Sequence, residues 1–197
     1  MRVMTIGLTA VAAVTVTLPL LPAFTPRAAL ASGVVGTGTA ASCTEVALNT
    51  ALTFGGTVTF NCGGAATITV TSTKTISADT TIDGGSLITI SGGNSVGVFS
   101  VNTGVKFTVQ NLTIANGNST AVHGGGGIAS YFGTLTVTNC IFSGNSAGGG
   151  GAIYNVGSYN NYGNFIYGTV TVTTLERPAG QINVAKADHS RASMTVS

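Results

Sequence analysis

The sequence predicts an all-β protein of the parallel β-helix class, about five coils long and closed by an N-terminal cap. Three observations carry that expectation. First, Val, Ile, Leu and Thr fill short runs punctuated by Gly, Asn and Asp, with 29 glycines and no tryptophan in 197 residues. β-Branched residues suit a pleated surface, and the punctuating residues suit turns. Second, the chain repeats itself. FTVQNLTIANGN, from Phe107, lies over LTVTNCIFSGN, from Leu135, 28 residues further on, and a glycine run follows each copy. Third, apolar residues alternate with Thr in both copies, the period of a strand with one face buried. A β-sandwich has strands of this length but no self-similar repeat. A propeller blade is longer, about 40 residues.

The first 31 residues stand apart. Arg2 is followed by an apolar and threonine-rich run, Met4 to Leu21, then by Pro22 and Pro26, and Ala29-Leu30-Ala31 precedes Ser32. That is the layout of a secretory signal peptide, residues 1–31, with an uncleaved membrane anchor as the competing reading. Either implies export, to a secreted or cell-surface location. Residues 32–174 are assigned to the β-helix. Cys43 and Cys62 flank its first strand region and are the natural disulfide pair, a closure of about twenty residues contributing about 3 kcal/mol in the chain-entropy model. Three separate buried thiols are the other possibility, and Cys140 is left over inside an apolar run.

Val46 to Leu52, VALNTAL, is the one piece with helical apolar spacing. Strands follow at Thr57–Phe60, Ala66–Ser77, Thr80–Gly85, Leu87–Gly93 and Val96–Val101, then in the two repeat units, then at Gly168–Thr174. Within the repeat, Val109 and Val137 are expected to stack inside, with Cys140 and Phe142 in the core. Asn111 and Asn139 fall at matching bends, where asparagines of successive coils can bond to one another or simply favour a left-handed turn. Gly124–Gly127 and Gly148–Gly151 let the chain turn tightly into the next coil. Leu175–Ser197 matches no repeat, concentrates charge, and is read as a divergent cap or disordered tail.

Phe142-x-x-Asn145 followed by Gly150-Gly151-Ala152-Ile153 resembles the repeats of polymorphic outer membrane proteins, and NLTIANGN with GGGGIAS is similar to a degenerate copy. CTEVALNTALTFGGTVTFNCGG, from Cys43, and TTIDGG resemble the opening of secreted bacterial proteins of this kind. The resemblance covers Cys43 to Asn155 and implies a right-handed, pectate-lyase-like solenoid, with an adhesive or structural role at the bacterial surface.

Composition narrows the function classes. Charged residues are 6% of the chain and the formal net charge is +2, against about 25% charged residues in ordinary soluble domains. No basic nucleic-acid face can be assembled from so few charges. The glycine runs lack the Gly-Lys-Ser/Thr of a phosphate loop, and no Cys or His spacing suits zinc, so neither cofactor nor metal is expected. Asp79 and Asp83 are the only carboxylates that share a strand face, with Lys106 nearby in the next unit. They are a candidate glycosidase-like or calcium pair, although Asp83-Gly84 also reads as a plain turn. His123 sits alone before a glycine run. Thr triplets recur at Thr57, Thr67, Thr134 and Thr169; flat ranks of Thr also suit an ice-binding surface. The function expected is a non-catalytic structural or adhesive module that contacts carbohydrate or another surface. A polysaccharide lyase or glycoside hydrolase of β-helix fold is the alternative, and an ice-binding solenoid a lesser one.

Overall fold

The computed structural model describes residues 33–121 and 124–156, and the backbone of the strands Ser158–Tyr159, Phe165–Ile166, Thr169–Thr173 and Met194–Val196. The chain forms a parallel β-solenoid of about five turns. Its long sheet stacks Gly33–Val35, Gly56–Phe60, Thr80–Ser91, Lys106–Ala115, Thr134–Thr138, Thr169–Thr173 and Met194–Val196 in sequence order, each parallel to the last. The second halves of Thr80–Ser91 and Lys106–Ala115 turn a corner into a second flank, joined there by Ala66–Thr69 and Ile141–Ser143. A separate parallel sheet of Lys74–Ile76, Phe99–Val101, Ile128–Tyr131 and Ile153–Val156 closes the coil. TTIDGG and LITISGG, two strands by their punctuation, are thus one strand that runs through a corner.

Why the coils stack is visible column by column. Val58, Ile82, Val109 and Val137 are successive partners in register, and each is fully buried. Ile68, Ile90, Ile114 and Phe142 form a second inward column. Phe99, Ile128 and Ile153 form a third, with Lys74 at its head. Burying each such side chain contributes about 1.5–3 kcal/mol, and similar apolar residues meet in register from coil to coil. Outward neighbours along the long sheet are mostly Thr, with Asp83, Gln110 and Lys106 beside them. Cys140 is buried at the corner between Thr134–Thr138 and Ile141–Ser143, not within a strand.

The corners need left-handed backbone. Asn111 and Asn139 hold φ at 51° and 49° at one corner, and Asn116 holds 50° at the next. Asparagine adopts this region more readily than other non-glycine residues. At the third corner the two glycine runs lie on each other: Gly125 bridges Gly150, and Gly127 N–H donates to the carbonyls of Gly151 and Ala152. A Cβ on Gly127 would lie 2.5 Å from the Ala152 carbonyl oxygen, so only glycine allows that approach.

The N-terminal end is capped by the helix Glu45–Leu52. Thr44 begins it, its hydroxyl accepting from Ala47 N–H at 3.2 Å, a standard N-cap. Leu48 and Ala51 face inward and are buried, and Gly33 lies so close to Ala51 that a Cβ there would come within 2.7 Å. A disulfide joins Cys43 to Cys62, with Cα atoms 5.7 Å apart, and ties the segment entering the helix to the end of the first coil's strand.

Candidate functional site

The outward face of the long sheet carries one residue type in register. Thr57 partners Thr81, Thr81 partners Thr108, and Thr108 partners Thr136. The same register position continues through Thr171 to Thr195. Thr57 is exposed, and Thr81, Thr108 and Thr136 are half-buried by their neighbours. One step along the strands, Asp83, Gln110 and Thr138 form a flanking column. Lys106 and Thr134 form the column on the other side, both exposed. Strands lie about 4.8 Å apart and alternate residues about 6.6 Å apart. The surface is therefore a lattice of hydroxyl and methyl groups with little charge.

The corner beside this face is an amide ladder. Asn139 Nδ2 donates to Asn111 Oδ1 at 2.8 Å, and Asn111 Nδ2 donates to Asp83 Oδ1 at 3.0 Å. Asp83 also accepts from Gly85 N–H at 2.9 Å and from Gln110 Nε2 at 2.7 Å. Partial burial pushes its carboxyl upward, but the bonds from Asn111, Gly85 and Gln110 outweigh that and hold it below the ordinary range. Between Asp83 and Ile88 the strand carries three more residues than its neighbour does between Gln110 and Leu112. They stand out as a bulge at Gly84–Leu87 with a hollow on each side. One, of about 270 Å³, lies between the bulge and the first coil's corner, from Thr59 to Gly64. The other, of about 250 Å³, is lined by Ser86, Asn111, Thr113, Asn139 and Ile141.

Asp79 does not meet Asp83. It accepts from the backbone N–H of Lys106 at 2.9 Å, whereas Asp83 bonds Gly85, Gln110 and Asn111, and four residues of extended chain set their Cα atoms roughly 13 Å apart. Glycosidase pairs sit about 5–9.5 Å apart. Asn145 turns in at its corner, its Oδ1 accepting from Gly117 N–H at 2.8 Å and its Nδ2 donating to the Ile114 carbonyl at 2.8 Å. Phe142, Gly150, Gly151 and Ile153 all serve packing or coil stacking. His123, residues 1–31, and the tail apart from the backbone of Met194–Val196 lie outside the described residues.

One cluster escaped the sequence reading. Lys74 heads an inward column and is 5% exposed. Its Nζ pairs with Glu45 Oε1 and donates to Asn49 Oδ1 at 3.0 Å and Ser72 Oγ at 3.1 Å. Glu45 further accepts from the Thr71 N–H at 2.9 Å and hydroxyl at 2.8 Å. The Lys74 hydrogen bond foremost lowers Glu45 to about 2, against the opposing effect of burial. The network clips the cap helix to the first coil. The only sequence signal was a lysine in an alternating strand at a position where its partners are apolar.

Among the described residues, no group of His, Cys, Asp and Glu could hold a metal ion, and no helix is long and apolar enough to cross a membrane. No family model, curated protein or solved structure matches the chain.

Proposed function

We propose that this chain is a non-catalytic binding module of an exported or cell-surface protein. It engages an uncharged, repetitive surface, carbohydrate polymers foremost, through the threonine face of the long sheet. The threonine column, in register across the strands, carries the reading. A core demands only that outward positions be polar, and any mixture of Ser, Thr, Lys, Glu or Gln would satisfy it. Holding Thr at one register position in every coil from Thr57 onward goes beyond that demand. Two further features support a binding role over catalysis. Asp83 is committed to three hydrogen bonds and Asp79 to a backbone cap. Pull-down on insoluble neutral polysaccharides tests the proposal. Thr108→Lys with Thr136→Lys should abolish retention, and Thr75→Lys, on the separate sheet that closes the coil, should not. Retention unchanged by the face variants would overturn it.

The spacing of that column favours a second ligand for the same face. Two hydrogen bonds of about 2.8 Å meeting at the tetrahedral angle place second-neighbour water oxygens about 4.6 Å apart, near the strand repeat of about 4.8 Å. An ice surface would match such a lattice, and thermal hysteresis of the purified protein, lost in the same Thr108→Lys variant, is the measurement that decides it.

A further inference from the structure

We propose that the hollow between the first coil's corner and the Gly84–Leu87 bulge is a subsite for one neutral sugar ring. The inference rests on the surface-binding reading and gives it a specific contact. The hollow measures about 270 Å³ and has both kinds of wall that a sugar requires. Phe60, partly buried against the core, and Leu87, 56% exposed in the bulge, supply apolar surface for the C–H face of a ring. Thr59, Asn61 and Asp83 supply hydroxyl, amide and carboxylate groups for its hydroxyls.

Asp83 is suited to the task. Its Oδ1 accepts two hydrogen bonds, from Gly85 and Asn111, and its Oδ2 accepts one, from Gln110. An ionised carboxylate offers about four acceptor sites, so Oδ2 retains capacity for a ligand hydroxyl without disturbing the ladder. Being held ionised, it also disfavours acidic sugars, which selects neutral ones. A lone carboxylate already bonded by three donors is a poor cation site, since calcium takes about six or more oxygens.

The walls are fixed before any ligand arrives. Asn61 N–H donates to the Val35 carbonyl, and the Asn61 carbonyl accepts from Gly38 N–H at 2.7 Å. Cys62, next along, is held by the disulfide. On the opposite wall Gly84 is wedged against the next coil, where a Cβ would lie 2.5 Å from the Asn111 carbonyl oxygen. A pre-formed hollow avoids the ordering cost that otherwise erodes affinity for small ligands. It also lies at the edge of the threonine face, since Asp83 flanks the threonine column and Thr59 shares the outward side of its strand with Thr57. A polymer lying across the face can therefore seat one ring in it.

The test is titration of the full chain with methyl β-glucoside and with cellotetraose, followed by amide chemical shifts. The expected result is a concentration-dependent shift at Asn61, Gly64, Gly85 and Leu87, tighter for the tetramer. Leu87→Asp, at an exposed position, should weaken it about tenfold, and Asp83→Asn, which keeps an acceptor for Gly85, should weaken it without unfolding the corner. No shift at these amides with either sugar overturns the inference. If polysaccharide is retained, is lost in Thr108→Lys and is indifferent to Leu87→Asp, the subsite fails while the binding face stands. If nothing is retained, both fail.

Discussion

Removing either partner of the Glu45–Lys74 pair should loosen the cap helix from the solenoid. The pair joins a residue in the first turn of that helix to the head of an inward column, and Lys74 is nearly inaccessible. Glu45 lies at about 2 instead of its ordinary 4.5. Its folded-state pKa is depressed, so the stabilisation is complete above about pH 4.5 and is lost as pH falls towards 2. Taken whole, a displacement of that size corresponds to about 3 kcal/mol. The pair borders a polar hollow lined by Asn49, Ser72 and Thr75, and solvent screening there reduces the expected value to about 1–2 kcal/mol. Glu45→Gln and Lys74→Met, singly and together, give the coupling by a double-mutant cycle. The chain has no tryptophan, so urea transitions are followed by far-ultraviolet circular dichroism at pH 7 and pH 3. The expected coupling is about 1–2 kcal/mol at pH 7 and clearly smaller at pH 3. Lys74→Met alone should cost more than the double variant, because it leaves Glu45 without its cation. A coupling below about 0.3 kcal/mol at pH 7, or one independent of pH, would refute the reasoning.

Replacing Cys43 and Cys62 together by Ala should cost about 3 kcal/mol for a 19-residue separation, read as a lower melting temperature that reductant no longer changes. Asn111→Ala should cost about 1–3 kcal/mol, because it removes both ladder bonds and the left-handed preference, whereas Asn111→Gly keeps the conformation and should cost less. Gly127→Ala, facing the Ala152 carbonyl and the Phe142 ring, should destabilise well beyond Gly85→Ala, whose Cβ meets nothing within 4 Å and pays only for φ at 57°; denaturant midpoints compare them. Burial raises the Cys140 thiol to about 11, so it should resist iodoacetamide at pH 8 in the folded protein and react only on unfolding, as intact mass reports.

The coil plan was legible because a solenoid writes its register into the sequence. The 28-residue repeat that sets Phe107 against Leu135 is the partnership the strands adopt, Phe107 with Leu135 and Val109 with Val137. The overlay does not extend through the glycine runs at the same offset. Asn118 and Ser119 still pair with Ser146 and Ala147, whereas Gly125 already pairs with Gly150 and Ile128 with Ile153. Three residues after Ser119 have no counterpart in the next coil. The same holds at the other corner, where Gly84–Leu87 interrupt a register that is intact on both sides. Sequence periodicity cannot say which residues are the extra ones, because corners select only for turn chemistry. Nor could it show that Thr81 and Thr108 share a column, since the interval between coils changes from one to the next. Lys74 was invisible for a different reason. Alternation marks its position as inward, and only the helix arriving from earlier in the chain supplies Glu45 and Asn49 to make a lysine tolerable there.

These irregularities bear on where a ligand can sit. Inward columns tolerate no insertion, since one extra residue would turn every following side chain to the other face. Added residues must therefore collect at the corners, and in repeat folds such insertions map to one face, often the binding one. Here the bulge at Gly84–Leu87 adjoins the threonine face and divides the corner into two hollows. A flat lattice alone binds by area and repetition and discriminates poorly. On the proposed binding reading, a bulge rising from its edge adds a position where a single unit of a polymer is distinguished from its neighbours. Deleting Gly85 to Leu87, which leaves the two-step corner of the following coil, separates these contributions. The stack should persist, retention on polymer should weaken modestly, and the preference among neutral sugars should disappear. Loss of all retention would instead make the bulge the principal contact and the threonine face secondary.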